Sequence, residues 1–564
     1  MGVLCWENLD YQILNNLSGS TRTNQIMALM GPSGSGKSTM LNAIYYNLLY
    51  YQNVTLNGRQ INKKEISYVF QHEYVMDTLT VYETLEFNCR MRRRIKEEML
   101  EIIRMVKFET LLDQRVNTLS TGEIKRLSIA VELANANPVF ILDEPTTSLD
   151  SLLASSIMDV LHSIKSDKII ICSIHQPSLD IFLAFDNVYF IHKGSLYYNG
   201  DPNGIVDHCI EQGIKCPMYT NPADFLIDQI SSEKIGQYHV QNVVVIMDDD
   251  KSEYIRKKRI LLLLEYFYIF KRSFRDAYRQ PIITKSRILQ AIISGFIVGT
   301  LYYDLDNSQL AIQNKNGCVF FIIVNQMMSI FFSVIQSFPL QLKTFQQEYS
   351  KRLYRIGPYY WGKTTADLPV QLFIICLFSA IALPLTNLCP SPKHNVLFVG
   401  YLLLTSNVFS SFGYFISTMA DDPTVVMIIG NMLILPAMLV GGFFINNDSV
   451  PDYYIALENI STFNYAFQAL IKTVYYDEQL NCDSDNVCTF TSGNDVLDYL
   501  GVELSFKDYA FILLGQALIL RALGHLTLYI RYKAIPTCKS CCLCITQLYN
   551  TFGTIKAIIR AQIA

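Results

Sequence analysis

QIMALMGPSGSGKSTMLNAIYY, residues 25–46, decides the fold of the chain's first half. A short apolar run of strand type gives way to a loop with glycines at 31, 34 and 36, and the loop to a stretch with helical spacing. GPSGSGKST, residues 31–39, fits the pattern G-x-x-x-x-G-K-[ST]. Glycines at those places let backbone N–H groups turn inward around phosphate oxygens, and the following helix presents its N-terminus to the same anion. Gly31, Pro32, Ser33, Gly34, Ser35, Gly36, Lys37, Ser38 and Thr39 are therefore expected to form a nucleotide cradle. Lys37 would bring a point charge to the β and γ phosphates, and Ser38 would put its hydroxyl on Mg2+. An ordinary Gly/Ser loop is the bland alternative, and the strand before and helix after weigh against it.

VFILDEPTTSLD, residues 139–150, supplies the second element. Four apolar residues on a buried strand would deliver Asp143 and Glu144 to the C-terminal edge of a sheet, where ligands bind in open α/β folds. Asp143 is expected in the Mg2+ shell, through water, and Glu144 is expected to orient or deprotonate an attacking water. Such a pair alone could simply cap a helix. Beside the glycine loop it points to a nucleotide hydrolase that uses Mg2+, a description that many hydrolases fit; ATP as the nucleotide comes with the resemblance given below.

At 564 residues the chain is too long for one ordinary domain. Half of its residues are hydrophobic and 17% are charged, a balance that points to membrane segments. A net charge of −4 gives no reason to expect nucleic acid as a partner. Fourteen scattered cysteines do not make a disulfide framework. The first residues lack the order of a cleaved signal peptide, so insertion is expected to rely on internal apolar segments.

Residues 1–235 mix short apolar runs with charged stretches, as an α/β P-loop domain does; QIMALM, PVFILDE, KIIICSI and NVYFIHKG are its strand candidates. Residues 236–286 hold a charge cluster and then a basic, aromatic stretch, read as a linker and an amphipathic helix along a membrane surface. A solvated connecting helix is the alternative. From 287 to 533 the pattern predicts an all-α membrane domain of six spans, near 288–304, 317–338, 366–386, 395–418, 424–445 and 509–530. Lysine and arginine cluster before the first span, between the second and third, and after the last. By the positive-inside rule the nucleotide domain, both chain ends and the tail 534–564 are cytosolic, and the acidic segment 446–508 is outside.

Four further stretches occur in order: YVFQ with Gln71, LSTGE at 119–123, DEPTTSLD at 143–150 and SIHQPS with His175. The set resembles the nucleotide-binding domain of ABC transporters over the whole first half. The resemblance implies that Gln71 links Mg2+ to the membrane domain and that Ser120, Gly122 and Glu123 belong to the signature. It further implies that Ser148 to Asp150 form a loop at the dimer face and that His175 meets the γ-phosphate. For the base-stacking aromatic, Trp6 and Tyr11 are both candidates.

An ATPase followed by six spans in one half-length chain resembles the ABCG or White subfamily of half-transporters. NPADFLIDQI (221–230), NGCVFFIIVNQMMS (316–329) and EYSKRLYRIGPYYWGKTTADLP (348–369) agree with it. The resemblance implies a dimer with itself or another half-transporter, seated in membrane lipid of the plasma membrane or an endomembrane. It implies export of lipids, sterols or other hydrophobic or amphipathic small molecules. The alternative is a semi-catalytic or regulatory subunit of a heterodimer. A soluble ATPase of the translation-factor type conflicts with the spans.

Within the membrane half, Asn325 is an amide at mid-span that either lines a cavity or bonds another helix, and Met328 stands where similar exporters carry an aromatic. Phe443 and Phe444 occupy the place of an apolar plug, or simply pack. Glu348 contacts the ATPase domain or is solvated. Cys482 and Cys488 would form a loop disulfide by the same resemblance. Asn447 and Asn459 fit the glycosylation triplet, and the tail CKSCCLC (538–544) suits free thiols, palmitoylation or, weakly, zinc. In LSTGE, Thr121 stands where the family has a glycine. A β-branched residue is costly there if the backbone needs positive φ, and tolerable if it is ordinary helix entry.

Overall fold

A computed structural model describes residues 2–46, 53–147, 149–217, 220–232, 260–309, 311–389, 391–445, 451–481 and 490–534. The chain divides into two units: Met1–Leu264 with Gln346–Tyr354, and Glu265–Phe345 with Arg355–Ala564.

In the first unit the strands are β1 (Val3–Tyr11), β2 (Leu14–Arg22), β3 (Gln25–Met30), β4 (Val54–Leu56), β5 (Arg59–Gln60), β6 (Ile66–Val69), β7 (Val139–Leu142), β8 (Ile169–Ser173), β9 (Asn187–His192) and β10 (Ser195–Gly200). The helices are α1 (Lys37–Tyr46), α2 (Val81–Met91), α3 (Lys96–Met105), α4 (Thr121–Leu133), α5 (Ser151–Ile164), α6 (Leu179–Leu183), α7 (Ile205–Glu211) and α8 (Pro222–Ser231). One sheet has the order β10-β9-β3-β8-β7-β6 and is parallel apart from β10; a smaller antiparallel sheet has the order β2-β1-β4-β5. β7 and β8 are buried at every position, as strands covered on both faces must be.

The period of two sends alternate β3 side chains to two cores. Ile26, Ala28 and Met30 join the core shared with α2 to α5, while Met27 and Leu29 join Trp6, Met40 and Ile44 under the smaller sheet. Trp6 is fully buried and meets Tyr189 edge-on at 5.7 Å. That corrects its candidacy for base stacking: the indole fills the core between the two sheets. Tyr11, at the end of β1, is 38% exposed.

The second unit is helical: most of α9 (Leu262–Arg279), then α10 (Pro281–Leu301), α11 (Ala311–Ser350), α12 (Ile356–Ala366), α13 (Leu368–Thr386), α14 (Pro392–Ser417), α15 (Pro423–Leu439), α16 (Ile455–Ile460), α17 (Thr462–Tyr475), α18 (Gly493–Tyr499) and α19 (Phe506–Tyr529). Among the described residues four stretches are long and apolar enough to cross a membrane: Ala311–Ser350, Ile356–Thr386, Pro392–Ser417 and Phe506–Lys533. Leu262–Arg279 and Thr284–Leu301, bent by 58° at their break, make a fifth if taken as one span. Among the described residues four or five such spans are therefore found where six were expected. α10 covers most of the first candidate and opens on Pro281, and α15, with Pro436 in its last turn, is an apolar helix of 17 residues.

α9 buries Glu265, Arg272, Ser273 and Asp276 and exposes Leu262, Phe267 and Tyr278, the inverse of a helix on a soluble core. The segment expected to be an external loop contains α17, buried along almost its whole length. Its 14 residues bury Asn464, Gln468 and Thr473 among apolar side chains and are too few to cross a bilayer.

Candidate nucleotide site

β3, β8 and β7 are neighbours in the parallel sheet, with Leu29 opposite Ser173 and Leu142 opposite Cys172. The loops leaving their C-terminal ends therefore meet, and those loops carry Lys37, Asp143, Glu144 and His175.

The glycine loop between β3 and α1 is shaped for a close-fitting anion. Gly31 has φ 148°, and a Cβ there would lie 2.0 Å from the Ile191 carbonyl oxygen, so no other residue fits. α1 begins at Lys37, which points its N-terminal amides into the loop. Lys37 is 6% exposed, and its Nζ donates to the carbonyls of Gly31 (2.8 Å) and Pro32 (3.0 Å). Burial pushes its ammonium below the ordinary value, while Glu144 and Asp143 pull it back. Ser35 Oγ is buried without a hydrogen-bond partner. A buried ammonium, an orphaned hydroxyl and helix-start amides in one loop fit a polyphosphate. Ser33 and Gly34 are exposed beside them, and Gly36 and Ser35 are buried under them.

Asp143 is buried, and its Oδ1 accepts from Ser38 Oγ (3.1 Å) and Ser173 Oγ (2.6 Å). Ser38 and Asp143 thus place two hard oxygen donors together, a set that suits Mg2+, which keeps most of its waters. Glu144 adopts φ 49°, a left-handed backbone that costs a non-glycine residue about 1–2 kcal/mol. Such strain concentrates at functional positions. Its amide donates to Ser173 Oγ (2.8 Å), and its Oε2 accepts from Gln71 Nε2 (2.7 Å) and Thr147 Oγ1 (3.1 Å). One hydroxyl, that of Ser173, therefore fixes both Asp143 and Glu144.

Gln71 sits in the loop after β6, and Lys125 of α4 holds that loop by its backbone. Lys125 is buried, and its Nζ donates to Phe70 O (2.8 Å), Gln71 O (3.2 Å) and Asp143 O (3.4 Å). Burial lowers its pKa, against the pull of Glu73, Asp143 and Glu144.

His175 is exposed, one residue past Ile174, and Gln176 beside it has φ 44°. Among the described residues no hydrogen bond joins it to Glu144 or Lys37. α8 is tethered to its loop by Asn221 Nδ2, which donates to Pro177 O across 2.8 Å. Burial, then Asp228, raise the Asp224 pKa, and His175 opposes them, so Asp224 lies within electrostatic reach of the histidine.

Ser120 caps α4 in a reciprocal box with Glu123: Ser120 Oγ accepts from the Glu123 amide (3.3 Å), and Glu123 Oε2 accepts from the Ser120 amide (2.8 Å). Thr121 is the first residue of α4, exposed, and not among the positive-φ residues. The backbone is ordinary helix entry, so threonine is tolerated there. Gly122 is buried, and a Cβ would come 3.0 Å from Leu153 of α5. Asp150 caps α5 by accepting from the Leu153 amide at 2.8 Å.

In the second unit Asn325 Nδ2 donates to Ser294 Oγ of α10 (3.2 Å), the interhelical alternative of the two readings; Met328 is exposed. Phe443 stacks on Phe320 at 4.4 Å, and Phe444 meets the same ring edge-on at 5.1 Å. Glu348 belongs instead to the first unit, where its carboxylate accepts from Tyr354 Oη. Asn459 is exposed on α16. Ser148, Asn447, Cys482, Cys488 and the tail 538–544 lie outside the described residues.

Sequence reasoning missed Ser173 and Lys125. Their signals were weak: the serine that closes β8 and opens SIHQPS, and a lysine three residues after LSTG.

Residues 14–147 match the family model described as "ABC transporter", and residues 265–475 match the one described as "ABC-2 type transporter". The protein white of Ceratitis capitata is 30% identical over 90% of this chain and 82% of its own length. ABC transporter G family member 7 of Arabidopsis thaliana is 28% identical over 86% of this chain and 74% of its length. The broad substrate specificity ATP-binding cassette transporter ABCG2 of Sus scrofa is 27% identical over 89% of this chain and 87% of its length.

Proposed function

This chain belongs to the ABCG, or White-type, family of ABC transporters, and from that membership we propose that it dimerises to export amphipathic small molecules as it hydrolyses ATP. It is an ATPase-type half-transporter with a nucleotide-binding domain followed by a multi-pass membrane domain. The observation that carries the mechanistic part is the single cluster in which Ser38, Asp143, Ser173, Glu144 and Gln71 are joined by hydrogen bonds.

Bound MgATP would supply the phosphoanhydride and a divalent charge to screen it. Lys37 would exchange its carbonyl partners for phosphate oxygens, and Ser38 and Asp143 would hold Mg2+. Glu144 would orient the attacking water and take its proton, with Gln71 and Thr147 fixing the carboxylate and Ser173 fixing its backbone. His175 would close on the γ-phosphate, and Ser120, Gly122 and Glu123 would face the ATP of the opposite subunit. The nucleotide domain would lie in the cytosol, with the division at about residue 235 and the inverted α9 along the membrane surface.

The pig relative is named for broad substrate specificity, and a lipid, sterol or other amphipathic cargo for this chain is our extension from it. Thr121 gives no backbone reason for an impaired site opposite, which favours the catalytic reading over the regulatory subunit. The test is ATPase activity of the reconstituted chain, alone and co-expressed with another half-transporter, across a panel of sterols, phospholipids and drugs. We expect vanadate-sensitive turnover by the chain alone, stimulated by at least one amphipathic compound. Turnover only in the mixed complex would transfer support to the regulatory reading, and stimulation by none of the panel would contradict export of this class.

A further inference from the structure

The first unit includes a short piece of distant sequence, Gln346–Tyr354, at the end of α11. Gln347 brackets one residue of the Gln71 loop: its Nε2 donates to His72 O (2.7 Å), and its Oε1 accepts from the Tyr74 amide (2.9 Å). The residue so bracketed is Glu73. Lys351 Nζ lies 2.9 and 3.0 Å from the two Glu73 carboxylate oxygens and 3.0 Å from Glu132 Oε1 on α4. All three side chains are buried, with 7%, 7% and 1% exposed for Lys351, Glu73 and Glu132. Glu73 Oε1 also accepts from the Phe70 amide (2.9 Å), which closes the loop around Gln71. Arg92 Nη2 stands 3.9 Å from Glu132 and balances the second carboxylate.

Burial alone would lower the Lys351 pKa, but Glu132 and Glu73 outweigh it and hold the ammonium above its ordinary value. The group therefore stays charged at neutral pH. A backbone reversal fixes its place, with Arg352 at φ 57° and the Lys351 amide donating to Gln347 O.

We propose that Lys351 is a positioning residue for ATP hydrolysis, its ammonium joining the Gln71 loop to α4 so that the Gln71 amide stays on Glu144. The proposal rests on the roles given above to Gln71 and Glu144. It goes beyond them in one respect. α4 carries Ser120 at its start, so a single cation bears both on this chain's own Glu144 and on the signature offered to the opposite subunit. Lys351 also follows α11 directly, so the lock is covalently continuous with that helix. Burying one cation between two carboxylates costs desolvation that well-packed apolar side chains would avoid, which argues for a role beyond stability.

The test uses the full-length protein in lipid nanodiscs, with Lys351→Met, Lys351→Arg, Glu73→Gln and Glu144→Gln compared by ATPase kinetics and amide hydrogen exchange. Lys351→Met should lower kcat about tenfold or more while the KM for ATP moves less than about threefold. Lys351→Arg should restore kcat to within about threefold, and Glu73→Gln should fall between. Amides of residues 70–76 should exchange faster in Lys351→Met, with β3 and β8 unchanged. Wild-type kcat in Lys351→Met and Glu73→Gln beside an inactive Glu144→Gln would overturn the proposal. So would a loss that tracks KM and that arginine does not rescue. If Glu144→Gln itself keeps turnover, the reading of Glu144 fails, and unchanged exchange at 70–76 separately overturns the role of Lys351. Should Lys351→Met not fold, Lys351→Arg and Glu73→Gln decide by the same split. The exchange arm holds whether or not the chain turns over ATP alone.

Discussion

Gln71 Nε2 donates to Glu144 Oε2 across 2.7 Å, and that one amide joins the loop after β6 to the carboxylate after β7. A neutral donor orients the carboxylate without adding a charge to it, so Glu144 keeps a second oxygen for a water. The loop that carries Gln71 is held by Lys125 at the Phe70 and Gln71 carbonyls and by Lys351 at the Glu73 carboxylate, so the setting of Glu144 depends on residues far from it in sequence.

Ser173→Ala removes the hydroxyl that donates to Asp143 and accepts from the Glu144 amide. A buried N–H and a buried carboxylate oxygen then lose a partner, a cost of about 1–3 kcal/mol. We expect kcat to fall about tenfold or more with a smaller change in the KM for ATP. Steady-state ATPase kinetics check it, and a wild-type kcat would remove Ser173 from the machinery.

Thr121→Gly restores the family residue but should gain nothing, because Thr121 already has helical backbone after a capped Ser120. Glycine in a helix is worth about 1 kcal/mol less than an ordinary residue, less still at the first position. Turnover within about twofold of wild type is expected, with Tm unchanged or slightly lower. A large rise in turnover would show that the threonine does impair a site.

Lys63 stands 4.2 Å from the centre of the Tyr45 ring, and burial, then Arg352, lower its pKa to about 8. Its unfolded value is about 10.4, so between the two the unfolded chain binds more protons and stability rises with pH. Below about pH 8 the cost of the buried charge is fully present; toward about pH 10.4 it is relieved. The Tm of the wild type, taken relative to Lys63→Met, should therefore climb through that window. A difference that stays flat with pH would contradict the lowered value.

Much of the first unit was legible because its signals are local. GPSGSGKST needs glycine for a loop at φ 148°, and VFILDE needs an apolar run to end at a sheet edge; both follow from spacing. What spacing could not supply was long-range pairing. Ser173 meets Asp143 and Glu144 because β8 lies beside β7, and Lys351 meets Glu73 across 278 positions. Trp6 misled for the same reason, since only the second sheet makes it a core residue. The membrane half was less legible: apolar runs fall where helices form, but α15 has only 17 residues, and the buried α17 has no length signature at all.

Glu144 is the group proposed to activate water, and hydrolysis by this chain depends on it. The direct measurement is ATP binding and turnover by purified Glu144→Gln in lipid, beside the wild type. Loss of a general base typically costs about 10²–10⁴-fold, so turnover should fall by at least about a hundredfold while ATP affinity stays within about threefold. Turnover within about twofold of wild type would contradict the role of Glu144 as general base.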